Sequence, residues 1–155
     1  MLIDEELAGF IRGPVSAMLG TADAMAVPDA TRLAGVAKLD GRRFRVLIST
    51  DARTARANAF IGARVAVLVT DITTYRSVQW KGRVVSAGEE RTPGDLALFH
   101  RHVEAFGEAS PRVGIPQPMI AGLFPRRVVP LEVEVDALYD QTPGPAAGRR
   151  IRTGG

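Results

Sequence analysis

The chain has 155 residues, of which 46% are apolar and 24% charged, and this composition indicates one globular domain long enough to bury a core. It contains no cysteine, which excludes disulfides, thiolate metal sites and thiol nucleophiles. The formal net charge is only +3, and basic residues come at most in adjacent pairs such as Arg42-Arg43, so nothing indicates a nucleic-acid-binding face.

The apolar runs are too short for a membrane helix. The longest of them, Val65–Val69, falls far short of the roughly 20 residues that a span needs. The acidic start Met1-Leu2-Ile3-Asp4-Glu5 differs from a secretory signal peptide. We therefore expect a cytoplasmic protein.

The first third of the chain predicts one helix and three strands. Residues 4–12 are expected to form an amphipathic helix that Asp4 caps. The predicted strands are Val15–Thr21, Arg32–Leu39 and Arg42–Ser49. Pro28-Asp29 predicts a turn between the first two. Because Asp40-Gly41 suits a two-residue loop, the last two strands should pair as an antiparallel hairpin.

The middle of the chain predicts a short helix and two strands. The Ala-rich residues 50–60 are typical of a helix, capped by Thr50 or Asp51. Arg64–Thr70 is apolar on both faces and predicts a central buried strand. In the next predicted strand, Tyr75–Ser86, polar side chains share one face and apolar side chains share the other.

The last third predicts a second helix, a loop and a final strand. Thr92-Pro93-Gly94-Asp95 is typical of a helix start. Ala109–Arg127 contains four prolines and predicts an irregular packed loop, and Leu131–Tyr139 predicts a half-buried strand. The pattern indicates an α+β fold, mainly β: a six-stranded antiparallel barrel with inserted helices, in one domain over residues 3–139. Residues 140–155 form a tail rich in Pro, Gly and Arg.

The junction between the third strand and its helix carries the strongest chemical signal. Hydroxyls, guanidiniums and free backbone amides converge there; the side chains concerned are Thr50, Arg53, Thr54 and Arg56. Such a combination binds phosphate, chiefly through the arginines, since a charge-assisted hydrogen bond contributes about 1.5–3 kcal/mol and a helix terminus about 0.3–1 kcal/mol. The alternative is a simple helix cap with solvated arginines.

The order of elements and one strand resemble a known family. A hairpin, this Thr- and Arg-bearing helix, a buried strand and then Tyr75-Arg76-Ser77-Val78-Gln79-Trp80-Lys81-Gly82-Arg83-Val84 are similar to the pyridoxamine 5′-phosphate oxidase-like family of FMN-binding split β-barrels. The resemblance covers about residues 3–87. It implies a split barrel and a homodimer with two flavin sites at the subunit interface.

The resemblance also implies which residues hold the flavin. The positions that match the family's phosphate-binding residues are Thr50, Thr54 and Arg56, with Arg53 as their neighbour. The candidates along the ring are Ser77 and Gln79, with Arg76 just before them. Independently of the family, Lys81 belongs to the same polar strand face and could place a cation near the ring edge.

The C-terminal part departs from the family members that oxidise pyridoxamine phosphate, because nothing after Pro125 resembles their extension with further flavin and substrate residues. We do not expect that activity. The interpretation is an FMN-binding oxidoreductase that transfers hydride or electrons to a small substrate. A non-catalytic binding module for flavin, deazaflavin or haem stays open as the alternative, as does a structural dimer without ligand.

The two histidines, His100 and His102, lie on the second predicted helix. Two residues apart, they point to different sides of the helix and do not share a metal ion. We predict no metal site. A contact between His100 and Glu104 is expected at the surface.

Overall fold

The structure, a computed structural model, describes residues 3–152. The strands are β1 (Val15–Ala22), β2 (Pro28–Lys38), β3 (Arg43–Ser49), β4 (Arg64–Asp71), β5 (Ser77–Ala87), β6 (Val128–Asp140) and β7 (Arg150–Ile151). The α-helices are α1 (Glu5–Ile11), α2 (Arg53–Asn58), α3 (Pro93–Ala109) and α4 (Gln117–Leu123). A short 3₁₀ turn, Ser110–Val113, follows α3.

Six of these strands close into an antiparallel barrel. The order around it is β3-β2-β1-β4-β5-β6, and β6 pairs with β3 to complete the ring. Alternate side chains fill the interior, where Trp80 stacks on Phe44 with 4.0 Å between ring centroids. The predicted six-stranded antiparallel barrel with inserted helices is confirmed.

The hairpin of β2 and β3 is also confirmed, with Val36 opposite Val46. Its predicted two-residue loop is wrong, because residues 39–42 separate the two strands. The turn predicted at Pro28-Asp29 is wrong, because both residues belong to β2. The connection from β1 runs through residues 23–27, where the Asp23 carboxylate accepts backbone hydrogen bonds. Proline fits the first position of a strand, where it leaves no ladder bond unmade.

Helix α2 is shorter than predicted and begins differently. Its N-cap is Ala52, so the prediction that Thr50 or Asp51 caps it is wrong. The backbone N–H of Thr50 donates to the Arg127 carbonyl (3.1 Å), and that of Asp51 donates to Ser49 Oγ (3.1 Å). These bonds hold residues 50–52 in a turn between β3 and α2.

Three other segments differ from the sequence-based expectation. Strand β4 is buried on one face only, since Ala66 and Leu68 on its other face are half-buried. Tyr75 lies in the turn before β5, with φ 62°. Residues 109–127 are not an irregular loop, because Pro116 and Pro118 provide a helix start and α4 follows.

Helix α3 and helix α4 cover the outside of β2 and β3. The predicted capping box is present, with Thr92 and Asp95 bonding each other's backbone N–H groups. A second apolar cluster fills the space beneath the helices and includes Ala34, Leu47, Leu98, Phe106, Ile120 and Phe124. Within residues 3–152 no helix packs extensively on β4 or β5.

The C-terminal tail folds back on the barrel. Strand β7 pairs with β6, with Ile151 opposite Leu138. The backbone N–H of Gln141 donates to the Ser77 carbonyl (2.9 Å), and that of Gly148 donates to the Asp140 carbonyl (2.7 Å). None of the helices within residues 3–152 combines the length and apolar character that crossing a bilayer requires.

Candidate functional site

The β3–α2 junction lies at the end of the barrel where β1 and β3 finish and β2, β4 and β6 begin. This follows from the antiparallel register, in which Ser49 pairs with Val128 and Ala22 pairs with Pro28. Strand β5 starts at the opposite end, because Thr70 near the end of β4 pairs with Ser77. The residues predicted to bind the phosphate therefore lie at one end of the barrel. The start of β5, the strand predicted to contact the flavin ring, lies at the other end.

Arg53 and Thr54 line a surface pocket of about 240 Å³ between α2 and the start of β2. Both side chains are exposed, and within residues 3–152 no ion pair includes Arg53. Thr31 and the carboxylates of Asp29 and Asp51 line the same pocket. A guanidinium and a hydroxyl thus face one pocket together, with two negative charges at its border.

Thr50 and Arg56 lie on the other side of the junction. Arg56 Nη1 donates to the Thr50 carbonyl (3.1 Å), and Arg56 Nη2 lies 3.5 Å from Glu89 Oε2. Neither residue lines the Arg53 pocket. The structure therefore divides the four predicted phosphate residues into two pairs, each facing its own cavity.

Gln79 and Lys81 point outward from β5, since Trp80 between them points into the core. Lys81 Nζ lies over the Tyr139 ring, 5.1 Å from its centroid. Gln79 Oε1 accepts a hydrogen bond from Gln141 Nε2 (3.3 Å). Both side chains reach the outer face of the sheet and are available to a ligand there.

Arg76 and Ser77 are engaged by internal partners instead. Ser77 is buried, and its hydroxyl bonds the Thr70 hydroxyl (2.8 Å) and donates to the Tyr75 carbonyl (3.0 Å). Arg76 pairs with Glu6 (2.6 Å), and this hydrogen bond raises the pKa of the guanidinium above its ordinary value. The structure thus places these two residues at the base of β5, away from the β3–α2 junction.

A row of small residues crosses the outer face of the sheet between the Arg53 pocket and Lys81. Ala30 of β2, which lines the Arg53 pocket, is opposite Gly20 of β1. Gly20 is opposite Ala66 of β4, and Ala66 is opposite Lys81 of β5. At about 4.8 Å per strand, the three steps place Lys81 about 14 Å from Ala30 along the curved surface of the barrel. The small side chains of the row keep this part of the surface low.

Comparisons with known proteins find solved structures of similar fold. No family model matches the chain, and a search of curated proteins gives no match. HupZ from group A Streptococcus is 20% identical at a TM-score of 0.57, over 94% of this chain and 99% of that one. An F420 reductase is 20% identical at 0.56, over 88% and 98%.

A third structure comes from Clostridium acetobutylicum, a protein related to general stress protein 26 and of the pyridoxinephosphate oxidase family. It is 14% identical at a TM-score of 0.51, over 97% of this chain and 96% of that one. The fold is a split β-barrel. At these identities the likeness concerns the fold, and the split barrel's ligand has to be argued from its own residues.

His102 is a feature of this split barrel that the sequence pattern did not reveal. It lies on the buried face of α3, where its ring meets Phe124 edge-on, and its Nε2 has no hydrogen-bond partner within the described residues. The nearby void, lined also by Leu98 and Arg101, is only about 10 Å³. Burial first, and then the charge of Arg32, lower the pKa of His102 to about 4.

Sequence reasoning also missed residues that border the junction. Asp29 and Thr31 enter the Arg53 pocket because β2 begins four residues earlier than predicted. Arg127 reaches the opposite cavity through the pairing of β6 with β3, and Arg91 reaches it from the loop after β5, which pairs with β6. A correct prediction of where β2 begins would have found Asp29 and Thr31. Nothing local in the sequence indicates Arg91 and Arg127.

Proposed function

We propose that this split barrel binds FMN, with the phosphate in the Arg53 pocket and the ring system over β4 and β5. The observation that carries the proposal is the small-residue row that joins this pocket to Lys81. Arg53 donates charge-assisted hydrogen bonds to the phosphate, and the Thr54 hydroxyl donates another. Arg56 stabilises the turn beside the site, since its guanidinium donates a hydrogen bond to the Thr50 carbonyl.

The pocket fits the phosphate end of a flavin but not the whole molecule. Its volume of about 240 Å³ lies below the roughly 300–1,000 Å³ of sites that enclose a small ligand. Asp29 and Asp51 repel a phosphate, so the anion lies on the Arg53 side of the pocket. The remaining contacts must come from the sheet face.

Gln79 and Lys81 supply those contacts in the proposal. When bound, the flavin ring supplies hydride or electron transfer. The Gln79 amide offers a hydrogen bond to the ring edge, and the Lys81 ammonium offsets negative charge there. The Gln141 and Tyr139 side chains hold these two groups in place from β6 and the tail.

We propose further that the chain works as a homodimer whose interface covers this face. Met18 and Leu68 are paired across β1 and β4, point outward and are half-buried. Ala66 and Gly20 beside them keep the surface flat. A second copy placed there would bury the apolar row and enclose the ring, which otherwise lies open to solvent.

A deazaflavin is the second candidate ligand, because the F420 reductase has the same fold and a phosphate-bearing deazaflavin would meet the same Arg53 pocket. Haem is not favoured by the histidines. His102 has a void of only about 10 Å³ beside it, and His100 is exposed on α3. A non-catalytic role for a bound flavin would use the same contacts as the proposed oxidoreductase.

The test is to titrate FMN with the native chain and with three variants. Quenching of the flavin fluorescence measures binding. We expect Arg53→Gln to raise the dissociation constant at least about tenfold, as the loss of a charge-assisted hydrogen bond implies. We expect Asp51→Asn to lower it, because the variant removes a repelling charge from the same pocket.

Arg126→Gln is the matched control, since Arg126 is exposed and lines neither the pocket nor the sheet face. It should bind FMN as the native chain does. Equal affinity in native protein and in Arg53→Gln would contradict the proposed phosphate site.

A further inference from the structure

A second cavity lies across the junction from the Arg53 pocket, between the start of β6 and the loop that leads from β5 to α3. One part, of about 290 Å³, is lined by Thr50, Arg91 and Arg127. An adjoining part, of about 240 Å³, is lined by Arg56 and a set of apolar side chains. The two parts share Glu89 and Val129 and so lie side by side, and we call them together the β6 cleft.

The walls of the β6 cleft are fixed by backbone contacts. The Thr50 N–H donates to the Arg127 carbonyl (3.1 Å), and the Gly88 N–H donates to the Pro130 carbonyl (2.9 Å). Gly88 lies so close to Pro130 that an added Cβ would come within 2.7 Å of Pro130 Cγ. The cleft is therefore a preformed feature of the barrel end. The combined volume of its two parts lies within the range of small-molecule sites.

The chemistry of the β6 cleft changes along its length. The inner part has an apolar floor, formed by Ile48, Ala57, Ala59, Ala87, Val129 and Leu131. The outer part carries Arg91 and Arg127, and within residues 3–152 no ion pair includes either guanidinium. One end therefore suits an apolar body and the other suits an anion.

Two carboxylates, Glu89 and Glu90, also border the outer part. Glu89 is 88% exposed and lies 3.5 Å from Arg56, a geometry that gives a weak, solvent-screened pair. With three guanidiniums and two carboxylates, the cleft retains a positive excess that favours an anionic ligand.

We infer that the β6 cleft binds a small organic anion, with an apolar body over Leu131 and a phosphate or carboxylate between Arg91 and Arg127. This site is separate from the Arg53 pocket and does not depend on the chain binding a flavin. The Glu89 carboxylate, which borders both parts, opposes binding of the anionic group.

The test uses phenyl phosphate as the probe and two-dimensional amide NMR of the full chain. We expect saturable shifts at Thr50, at residues 88–91 and at Arg127. The double variant Arg91→Gln/Arg127→Gln should weaken binding at least about tenfold. Glu89→Gln should strengthen it, and Arg126→Gln should leave it unchanged. Inorganic phosphate should bind more weakly than phenyl phosphate, because it lacks the apolar body.

Three results would overturn the inference. They are the absence of saturable shifts, a double variant that binds as the native chain does, and equal binding of inorganic phosphate. Displacement of phenyl phosphate by FMN would also overturn it, because the cleft would then be the flavin's own site. Failure of the Arg53→Gln titration alone would leave the β6 cleft untouched, so the two proposals fail separately.

Discussion

His102 is a buried histidine whose position makes the stability of the fold depend on pH. Only 7% of the residue is exposed, and its Nε2 lacks a hydrogen-bond partner within the described residues. Burial and the positive charge of Arg32 lower the pKa of its ring from 6.5 to about 4. The ring is therefore neutral in the folded protein at neutral pH and is packed as an aromatic side chain against Phe124.

The first prediction follows from this pKa. Between pH 6.5 and about 4 the unfolded chain binds a proton at His102 that the folded chain does not bind. Lowering the pH from 7 to 4 should therefore remove about 3 kcal/mol of stability through this residue alone. Urea unfolding at both pH values should show a smaller loss in His102→Leu than in the native chain.

His100→Leu is the control for this prediction, because His100 lies on the same helix and is exposed. It should keep the full acid sensitivity of the native chain. If His102→Leu lost as much stability on acidification as His100→Leu, the buried neutral state of His102 would be refuted.

Helix α3 is attached to the barrel by an ion pair at its first turn. Asp95, only 1% exposed, accepts hydrogen bonds from Arg45 Nε (2.6 Å) and Nη2 (3.0 Å), and Arg45 Nη1 also reaches Glu132 (2.9 Å). Burial alone would raise the pKa of Asp95, but the hydrogen bonds from Arg45 and Thr92 outweigh it and lower the pKa. One carboxylate thus serves both the helix cap and the strand below.

The second prediction is that Asp95→Asn destabilises the fold strongly. It removes the charge that Arg45 faces and weakens the capping box, which together should cost about 3 kcal/mol or more. Thermal and urea unfolding measure the loss. Asp136→Asn is the comparison, because its pair with Arg64 at 3.4 Å is largely exposed and should contribute less than about 1 kcal/mol. Equal losses would contradict the assigned role of Asp95.

The elements that could be predicted are those with local signals. Asp40-Gly41 specifies its hairpin and Thr92 with Asp95 specifies the start of α3, because each signal lies within a few residues of the structure it causes. The start of α2 could not be predicted in the same way, since the Thr50 N–H bonds Arg127, a residue distant in sequence that precedes β6. The burial of His102 likewise depends on packing against Phe124, which follows α4.

The candidate site shows the same division. Its residue types at positions 50–56 could be proposed from the sequence, but their separation into the Arg53 pocket and the β6 cleft depends on which side of the turn each side chain leaves. Arg76 is paired with Glu6 of α1, and the backbone N–H of Ser77 donates to Thr142 Oγ1 of the tail. Contacts between residues so far apart in the sequence produce no periodic pattern of residue types that could predict them.

At the scale of the whole molecule, the third prediction concerns assembly. The chain should sediment as a dimer, at twice its mass of 16.6 kDa. Leu68→Arg should convert it to a monomer by placing a charge on the outer face of β4, and should weaken FMN binding together with the dimer. Leu39→Arg, at an exposed position after β2, is the control and should stay dimeric. A native monomer would contradict the proposed interface.

The proposed flavin site requires that a phosphate group be held beside Arg53. A direct comparison is the affinity of the native chain for FMN and for riboflavin, which differ only in that phosphate, under identical salt conditions. We expect FMN to bind at least about tenfold more tightly. Equal affinity for the two flavins, or binding of neither, would contradict it.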